Sequence, residues 1–398
     1  MKTGNSMSQP SKQEYFRIMH ARYQRARADK DKSEILNELC AVCGYHRKHA
    51  IRKLNCPLPK TKPKPRRKPR RTTYNAKVLG VLKAVWEAAG YPWSVRLKAL
   101  LPLWLVWIRI HYALTPAHER QLLTISARQI DRRLQPHKRE LKRRLYGRTK
   151  PGTLLKHQVP LRTEHWDVTE PGSVEMDLVS HSGSHAEGDF IYSLNLTDIF
   201  SGWTETRAVM GKGQRGVVAA LDEMIAALPF ALKAIDSDNG SEFLNAHLVR
   251  YCRQRHIAFT RSRPYKKDDN AHIEQKNWTH VRKLIGYDRF DSPRALAALN
   301  DLYTCEWRRM MNLFQPSVKL QGKVRKGSRL TRRYDAPQTP LDRVLKARCG
   351  DPQKVAALLQ QRQVTDPFAL AALIQRKVEK IWELANLKQS PRVSRKIG

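Results

Sequence analysis

The chain has 398 residues and a formal net charge of +39, from 75 Lys and Arg against 36 Asp and Glu. A length of this order predicts two to four domains, at least one with a full core. With 41% hydrophobic residues and nine Trp, the composition excludes a disordered polycation.

Six irregularly placed Cys do not form a disulfide framework, which fits a reducing compartment. The N-terminal MKTGNSMSQPSKQ lacks the apolar region of a secretory signal. The longest apolar run, Ala99 to Ile108, covers about half a membrane span. No segment reads as a basic amphipathic anchor, so the excess charge points to nucleic acid and away from a membrane.

The charge is unevenly distributed. Residues 1–160 hold 37 Lys and Arg against 9 Asp and Glu, and residues 311–398 hold 19 against 6. Residues 161–310, with 19 against 21, are slightly acidic. Basic binding modules therefore flank a centre that gathers carboxylates.

Taken in chain order, residues 1–58 read as a helix-turn-helix module. Ser33 to Leu36 opens one helix with Ile35, Leu36 and Leu39 on its apolar stripe, and Gly44 breaks the pattern. A second helix runs from about His46 to Asn55, with Ala50, Ile51 and Leu54 inward and Arg47, Lys48 and Arg52 as DNA contacts. Cys40, Cys43, His46 and His49 invite zinc, but all four fall within ten residues, tighter than ordinary structural spacings. Packing of Cys40 as a small hydrophobe is the preferred reading.

Residues 59–73 form a basic Pro-rich linker, in which KTKPKPRRKPRR has eight basic residues, three prolines and nothing apolar. Lys62, Lys64, Arg66, Arg67, Arg70 and Arg71 are suited to a phosphate backbone or a minor groove. A second helix-turn-helix module is expected over 74–148. Val78, Leu79, Leu82, Val85 and Trp86 form a stripe there, and Val95 to Ile110 supplies another helix or two. Ser126 caps a short helix holding Ile130 and Leu134, with Arg128, Arg132 and Arg133 on its open face. Residues 149–164 are a second linker.

The period changes in 165–312. Strands are expected over Ser173 to Val179, Phe190 to Thr197 and Gly202 to Val209. A helix over Lys212 to Leu228 follows, then a strand at Ala231 to Ile235 and a helix at Glu242 to Gln254. A strand at Ile257 to Thr260 and a long helix from Asp269 to Ile285 complete the unit. This order predicts an α/β, RNase H-like core built on a mixed five-stranded sheet. Gly211, Gly213 and Gly216 match GxGxxG, but the strand before them reads as the last of a meander, so a loop ahead of a helix is expected. Residues 313–398 form a basic C-terminal region assigned to DNA binding or oligomerisation; its fold is not assigned.

Three acids stand out. Asp177 lies among apolar neighbours on the first strand, where an unpartnered charge is expensive. Asp238 follows a short strand in SDNGSEF, at the end of the sheet where α/β proteins bind ligands. Glu274 lies on the long helix in DDNAHIEQKNW. Sixty residues separate the two Asp, and 35 separate Asp238 from Glu274. Glu175, two residues from Asp177 and on the same strand face, competes for the first place.

At these motifs the sequence resembles the retroviral-integrase-type core of insertion-sequence DDE transposases. The resemblance implies that Asp177, Asp238 and Glu274 are catalytic and hold two Mg²⁺ or Mn²⁺ ions. It also implies cleavage of double-stranded DNA at the terminal repeats of an element, followed by attack of the 3′-hydroxyl on target DNA. Such ions activate the attacking oxygen and stabilise the leaving one, so no catalytic His is needed. Lys266 and Lys267 are expected phosphate contacts, and His272 is read as a surface or DNA-facing residue. Synapsis of two ends implies a homodimer or higher oligomer on DNA, in a cytoplasmic, nucleoid-associated protein. The competing readings are a non-catalytic sequence-specific DNA-binding protein and an RNase H-like nuclease.

Overall fold

The computed structural model describes residues 8–58, 74–146, 168–184, 187–237, 246–261, 276–326 and 329–386. The chain divides into two compact units, Met1–Thr72 and Thr73–Gly398.

The first unit holds α1 (Gln9–Arg25), α2 (Asp29–Cys43) and α3 (Arg47–Asn55). Helix α2 starts four residues before Ser33, because Asp29 and Asp31 in its first turn complement the helix dipole. Gly44 ends it in the left-handed region, with φ +69°. Met19, Leu36, Leu39, Cys43, Ala50 and Leu54 form the core of this unit. Ile51, expected inward, is exposed. Ala50 and Leu54 stand one turn apart on the buried stripe, and Ile51 lies about 100° round the helix from Ala50.

The second unit opens with α4 (Ala76–Ala88), α5 (Ser94–His111), α6 (Pro116–Thr124) and α7 (Ala127–Tyr146). Val78, Leu82, Val85 and Trp86 are buried as expected, while Leu79 is half-buried. The Ser126 hydroxyl accepts from the Gln129 N–H at 3.3 Å. Helix α7 is not short: it continues through Pro136, which removes one intrahelical donor without ending the helix.

The sheet is built from β1 (Ser173–Ser180), β2 (Ile191–Asp198), β3 (Thr204–Met210), β4 (Ala234–Ser237) and β5 (Ala258–Arg261). Its order is β3-β2-β1-β4-β5, antiparallel across the first three strands and parallel from β1 through β4 to β5. This is the mixed, RNase H-like arrangement expected. Helix α8 (Gln214–Ala227) buries Val217, Ala220, Leu221 and Met224, and α9 (Ala246–Gln254) precedes β5. Helix α10 is π-type over Asn277–Arg282 and α-helical over Lys283–Ile285. Helix α11 runs from Pro293–Leu302 through π turns at Tyr303–Trp307 and Met310–Phe314.

Strand β3 is a sheet edge, and α11 covers it. Asn300 exchanges two hydrogen bonds with the Ala208 backbone, at 2.7 and 2.9 Å. Asn312 does the same with Thr204, at 3.0 and 2.9 Å. In a regular α-helix, residues twelve apart would face about 120° apart. The wider π turns advance fewer degrees per residue and remove part of that offset. The edge is thereby closed to pairing with another chain.

The C-terminal block has a definite structure. Strands β6 (Leu320–Lys326) and β7 (Arg329–Tyr334) make an antiparallel ribbon, followed by α12 (Pro340–Ala347), α13 (Pro352–Val364) and α14 (Pro367–Glu383). One buried apolar cluster runs from α4 through the sheet to α14. Among the described residues, no helix is long and apolar enough to cross a membrane.

Candidate active site

One face of the sheet is polar. Registered neighbours share a sheet face, and Asp177 pairs with Asn195, which pairs in turn with Thr206. Two residues along β1, Glu175 pairs with Thr197 on β2 and with Asp236 on β4. The opposite face carries Val174, Met176, Leu194, Leu196 and Ile235, which are buried in the apolar cluster. Alternation along β1 and β2 therefore delivers the acids to one side and the core to the other.

A chain of side-chain hydrogen bonds crosses the polar face. Thr206 Oγ1 donates to Asn195 Oδ1 at 2.7 Å, and Asn195 Nδ2 donates to Asn277 Oδ1 at 2.6 Å. Asn277 Nδ2 then donates to Asp177 Oδ2, while Asp177 Oδ1 accepts from the Leu178 N–H at 2.8 Å. The acid on β1 is thus oriented from both sides of one carboxylate. An ionised carboxylate offers about four lone-pair sites, and these donors take two. Hard carboxylate oxygens of this kind are the ligands that Mg²⁺ or Mn²⁺ prefer.

Asp177 is half-buried, whereas Glu175 is 0% exposed and Asp236 is buried, accepting from Thr260 Oγ1 at 3.0 Å. Ser237, the last residue of β4, is registered with Met176, the residue before Asp177. Asp238 and Glu274 lie outside the described residues, as do Lys62, Lys64, Arg66, Arg67, Arg70, Arg71, Lys266, Lys267 and His272. Among the described residues, no three His, Cys, Asp or Glu side chains gather closely enough to hold a metal ion.

Cations fix the turn that joins β2 to β3. Lys319 donates to the Phe200 carbonyl, Arg343 to the Ser201 carbonyl at 3.4 Å, and Lys276 to the Gly202 carbonyl at 3.0 Å. Asp198 closes the same turn, accepting from the Ser201 N–H at 2.6 Å and the Gly172 N–H at 2.8 Å. Burial pushes the Asp198 carboxyl pKa up, against these hydrogen bonds. Burial, with Arg96 and Arg343 nearby, pulls the Lys276 ammonium down to about 7. Lys276 and Asn277 are adjacent, so α10 grips the turn and Asp177 together.

Of the other residues singled out, Arg47, Lys48 and Arg52 are exposed on α3, although Arg47 also donates to Ser33 at 3.1 Å and to Asn37. Arg128 and Arg132 are exposed on α7. Cys43 packs in the core of the first unit, where burial raises its thiol pKa, and Cys40 packs against that core. The GxGxxG glycines follow an antiparallel edge strand, and a Cβ added at Gly213 or Gly216 would meet nothing within 4 Å. Sequence reasoning did not single out Asn195, Thr206 or Asn277. Asn277 carried a signal, standing three residues after Glu274 in the same helical pattern.

Residues 168–267 match the integrase core domain (rve) family model. The chain is 40% identical over 316 residues to "Uncharacterized protein y4rM" of Sinorhizobium fredii (strain NBRC 101917 / NGR234), covering 79% of this chain and 89% of that protein. Among solved structures, the HTLV-2 integrase catalytic core domain in complex with magnesium (dimeric form) is 17% identical, with a TM-score of 0.28, covering 37% of this chain and 92% of that one. The catalytic core domain of BIV integrase is 14% identical, with a TM-score of 0.28, covering 44% and 95%. The chain belongs to the family that includes y4rM, and its centre is an integrase core domain of the DDE transposase and integrase type.

Proposed function

We propose that the protein is a DNA transposase that cleaves the ends of a mobile element and joins them to target DNA. The observation that carries the reading is Asp177, held on the polar face of an integrase-type sheet by the amide of Asn277. Asp177, Asp238 and Glu274 hold the metal, with Asp177 preferred over Glu175 because Glu175 is fully buried. Two Mg²⁺ or Mn²⁺ ions, when bound, supply activation of the attacking oxygen and stabilisation of the leaving 3′-oxygen. The chain's own part is to orient: Asn277 and the Leu178 N–H fix the Asp177 carboxylate, and the clamped β2–β3 turn fixes α10. Arg47, Lys48 and Arg52 on α3, and Arg128 and Arg132 on α7, serve as DNA contacts. Handling two ends at once calls for a dimer or higher oligomer on DNA.

The test is nicking and strand transfer on labelled terminal-repeat DNA with Mg²⁺, comparing wild type with Asp177→Asn, Asp238→Asn and Glu274→Gln. Each variant is expected to bind DNA and neither nick nor join it. Wild-type activity in Asp238→Asn or Glu274→Gln overturns the mechanism. Activity in Asp177→Asn alone transfers the first metal-ligand role to Glu175.

A further inference from the structure

The β6–β7 ribbon carries six Lys and Arg and no acid over Leu320–Lys326 and Arg329–Tyr334. Its register sets Lys323 directly opposite Arg332, and Lys326 directly opposite Arg329. Like charges directly opposed across two strands destabilise a sheet, so this arrangement works against folding. Departures of that kind from local consistency are expected where function requires them.

Alternation along the two strands puts cations on both faces: Arg325 and Arg332 fall on one, and Arg333 on the other. Arg325, Arg332 and Arg333 are exposed, and none forms an ion pair with a described acid. A ribbon meant for a flat acidic surface needs cations on one face only. Cations on both faces suit a cleft with a phosphate wall on each side, which is the groove of a nucleic-acid duplex. The B-DNA major groove, about 12 Å wide, admits a two-stranded ribbon. A seven-residue strand of about 23 Å spans about seven base pairs.

The root of the ribbon is fixed. The Lys319 N–H donates to Asp335 Oδ1 at 2.5 Å, Arg343 pairs with Asp335 at 3.0 Å, and Tyr334 meets Trp93 edge-on at 6.4 Å. Lys319 and Arg343 also hold carbonyls of the β2–β3 turn, the turn that Lys276 holds from α10. The ribbon's root and α10, which holds Asp177, are therefore tied to the same turn.

We propose that the paired strands Leu320–Lys326 and Arg329–Tyr334 are a groove-entering arm for duplex DNA, anchored at the turn that α10 also holds. This rests on the DNA-processing reading above and adds the element that grips the duplex. The experiment uses the full chain and a random-sequence 30-base-pair duplex, followed by fluorescence anisotropy from about 50 to 300 mM salt. Arg325→Gln/Arg332→Gln/Arg333→Gln is compared with wild type and with a control triple, Lys346→Gln/Arg376→Gln/Lys380→Gln, also exposed.

Loss of three phosphate contacts is expected to lower the slope of log K against log salt by about 3, and affinity at 150 mM salt by about tenfold or more. The control is expected to change neither. Because the ribbon substitutions relieve like-charge opposition, the thermal midpoint of that variant is expected to stay level or rise. An unchanged slope and affinity in the ribbon triple overturns the arm, as does equal loss in the control. A lowered midpoint accompanying the loss assigns the arginines a structural role and also overturns it. Wild type that binds no duplex at all, with no salt dependence, sinks the DNA-processing reading itself.

Discussion

The side-chain amide of Asn277 on α10 donates to Oδ2 of Asp177 on β1, tying a helix to the acid at the middle of the polar sheet face. Partners that orient a metal-binding carboxylate are worth about 10–100-fold in metal affinity or activity. On the proposed reading of Asp177 as a metal ligand in strand transfer, Asn277→Ala is expected to lower that activity by this factor and raise the Mg²⁺ concentration needed for half-maximal rate. Duplex binding should be unchanged. Asn195→Ala, one hydrogen bond further out, is expected to have a smaller effect, and the double variant to lose less than the two single losses combined. Additive losses in that cycle would show that the relay does not act as a unit.

The central sheet was legible because its signals are local. Polar and apolar residues alternate along β1 and β2, and the inward residues of α8 follow a helical period. Strand ends differ from expectation by up to three residues, since pairing partners rather than propensity set where a strand begins. The ribbon escaped notice because Lys and Arg fill positions that apolar residues usually mark, leaving Leu320, Val324 and Leu330 as sparse cues. Gly327-Ser328 between the two runs is a two-residue hairpin signal that could have found it. The relay from Thr206 to Asp177 is tertiary: it joins residues up to 100 apart in sequence, and no local pattern reports such a contact.

Acid sensitivity follows from His181. Its Nε2 lies 2.8 Å from Ser193 Oγ, which lies 2.9 Å from the Tyr303 hydroxyl. Burial, with the nearby Arg282 charge, lowers its pKa to about 3. The unfolded chain takes up a proton near pH 6.5 and the folded chain does not. Stability from this group is therefore complete above about pH 6.5 and is lost as pH falls toward 3, by up to about 1.4 kcal/mol per pH unit. His280, buried and also lowered well below its ordinary value, acts in the same direction. Urea denaturation between pH 7 and pH 4.5 should show His181→Gln with a shallower acid slope, by about one proton. Equal slopes would remove His181 as the source.

Gly172 and Gly213 make a contrasting pair. Gly172 sits at φ +124°, and a Cβ there would lie 2.7 Å from the Ala231 carbonyl oxygen. Its own carbonyl accepts from Lys233 and Ala234, and its N–H donates to Asp198. Gly172→Ala is expected to cost about 2–3 kcal/mol, since strain and a close contact combine just ahead of β1. Gly213 sits at φ −62° in open space but is the N-cap of α8, where Ala is poorer than Gly, so Gly213→Ala should cost only about 0.5–1 kcal/mol. Thermal melts of both variants check this. A loss in Gly213→Ala as large as that in Gly172→Ala would show that strain and close contact do not set Gly172 apart.

The cover on strand β3 is the most exacting test of the fold. Asn312 is 1% exposed and satisfies both the N–H and the carbonyl of Thr204. Removing its amide leaves those two buried backbone groups without these partners, each costing about 1–3 kcal/mol. Asn312→Ala is therefore expected to destabilise the second unit by about 2–4 kcal/mol in chemical denaturation. Asn300→Ala is expected to do less, because its bonds to Ala208 are only partly buried and water can replace them. Hydrogen exchange separates this from a general loss of packing: the amides of Thr204 and Ala208 should lose protection ahead of those in β1. An opened edge also presents an unpaired strand, so Asn312→Ala should aggregate faster on mild heating. Uniform loss of protection across all five strands would show instead that the asparagines act through packing and not through the edge.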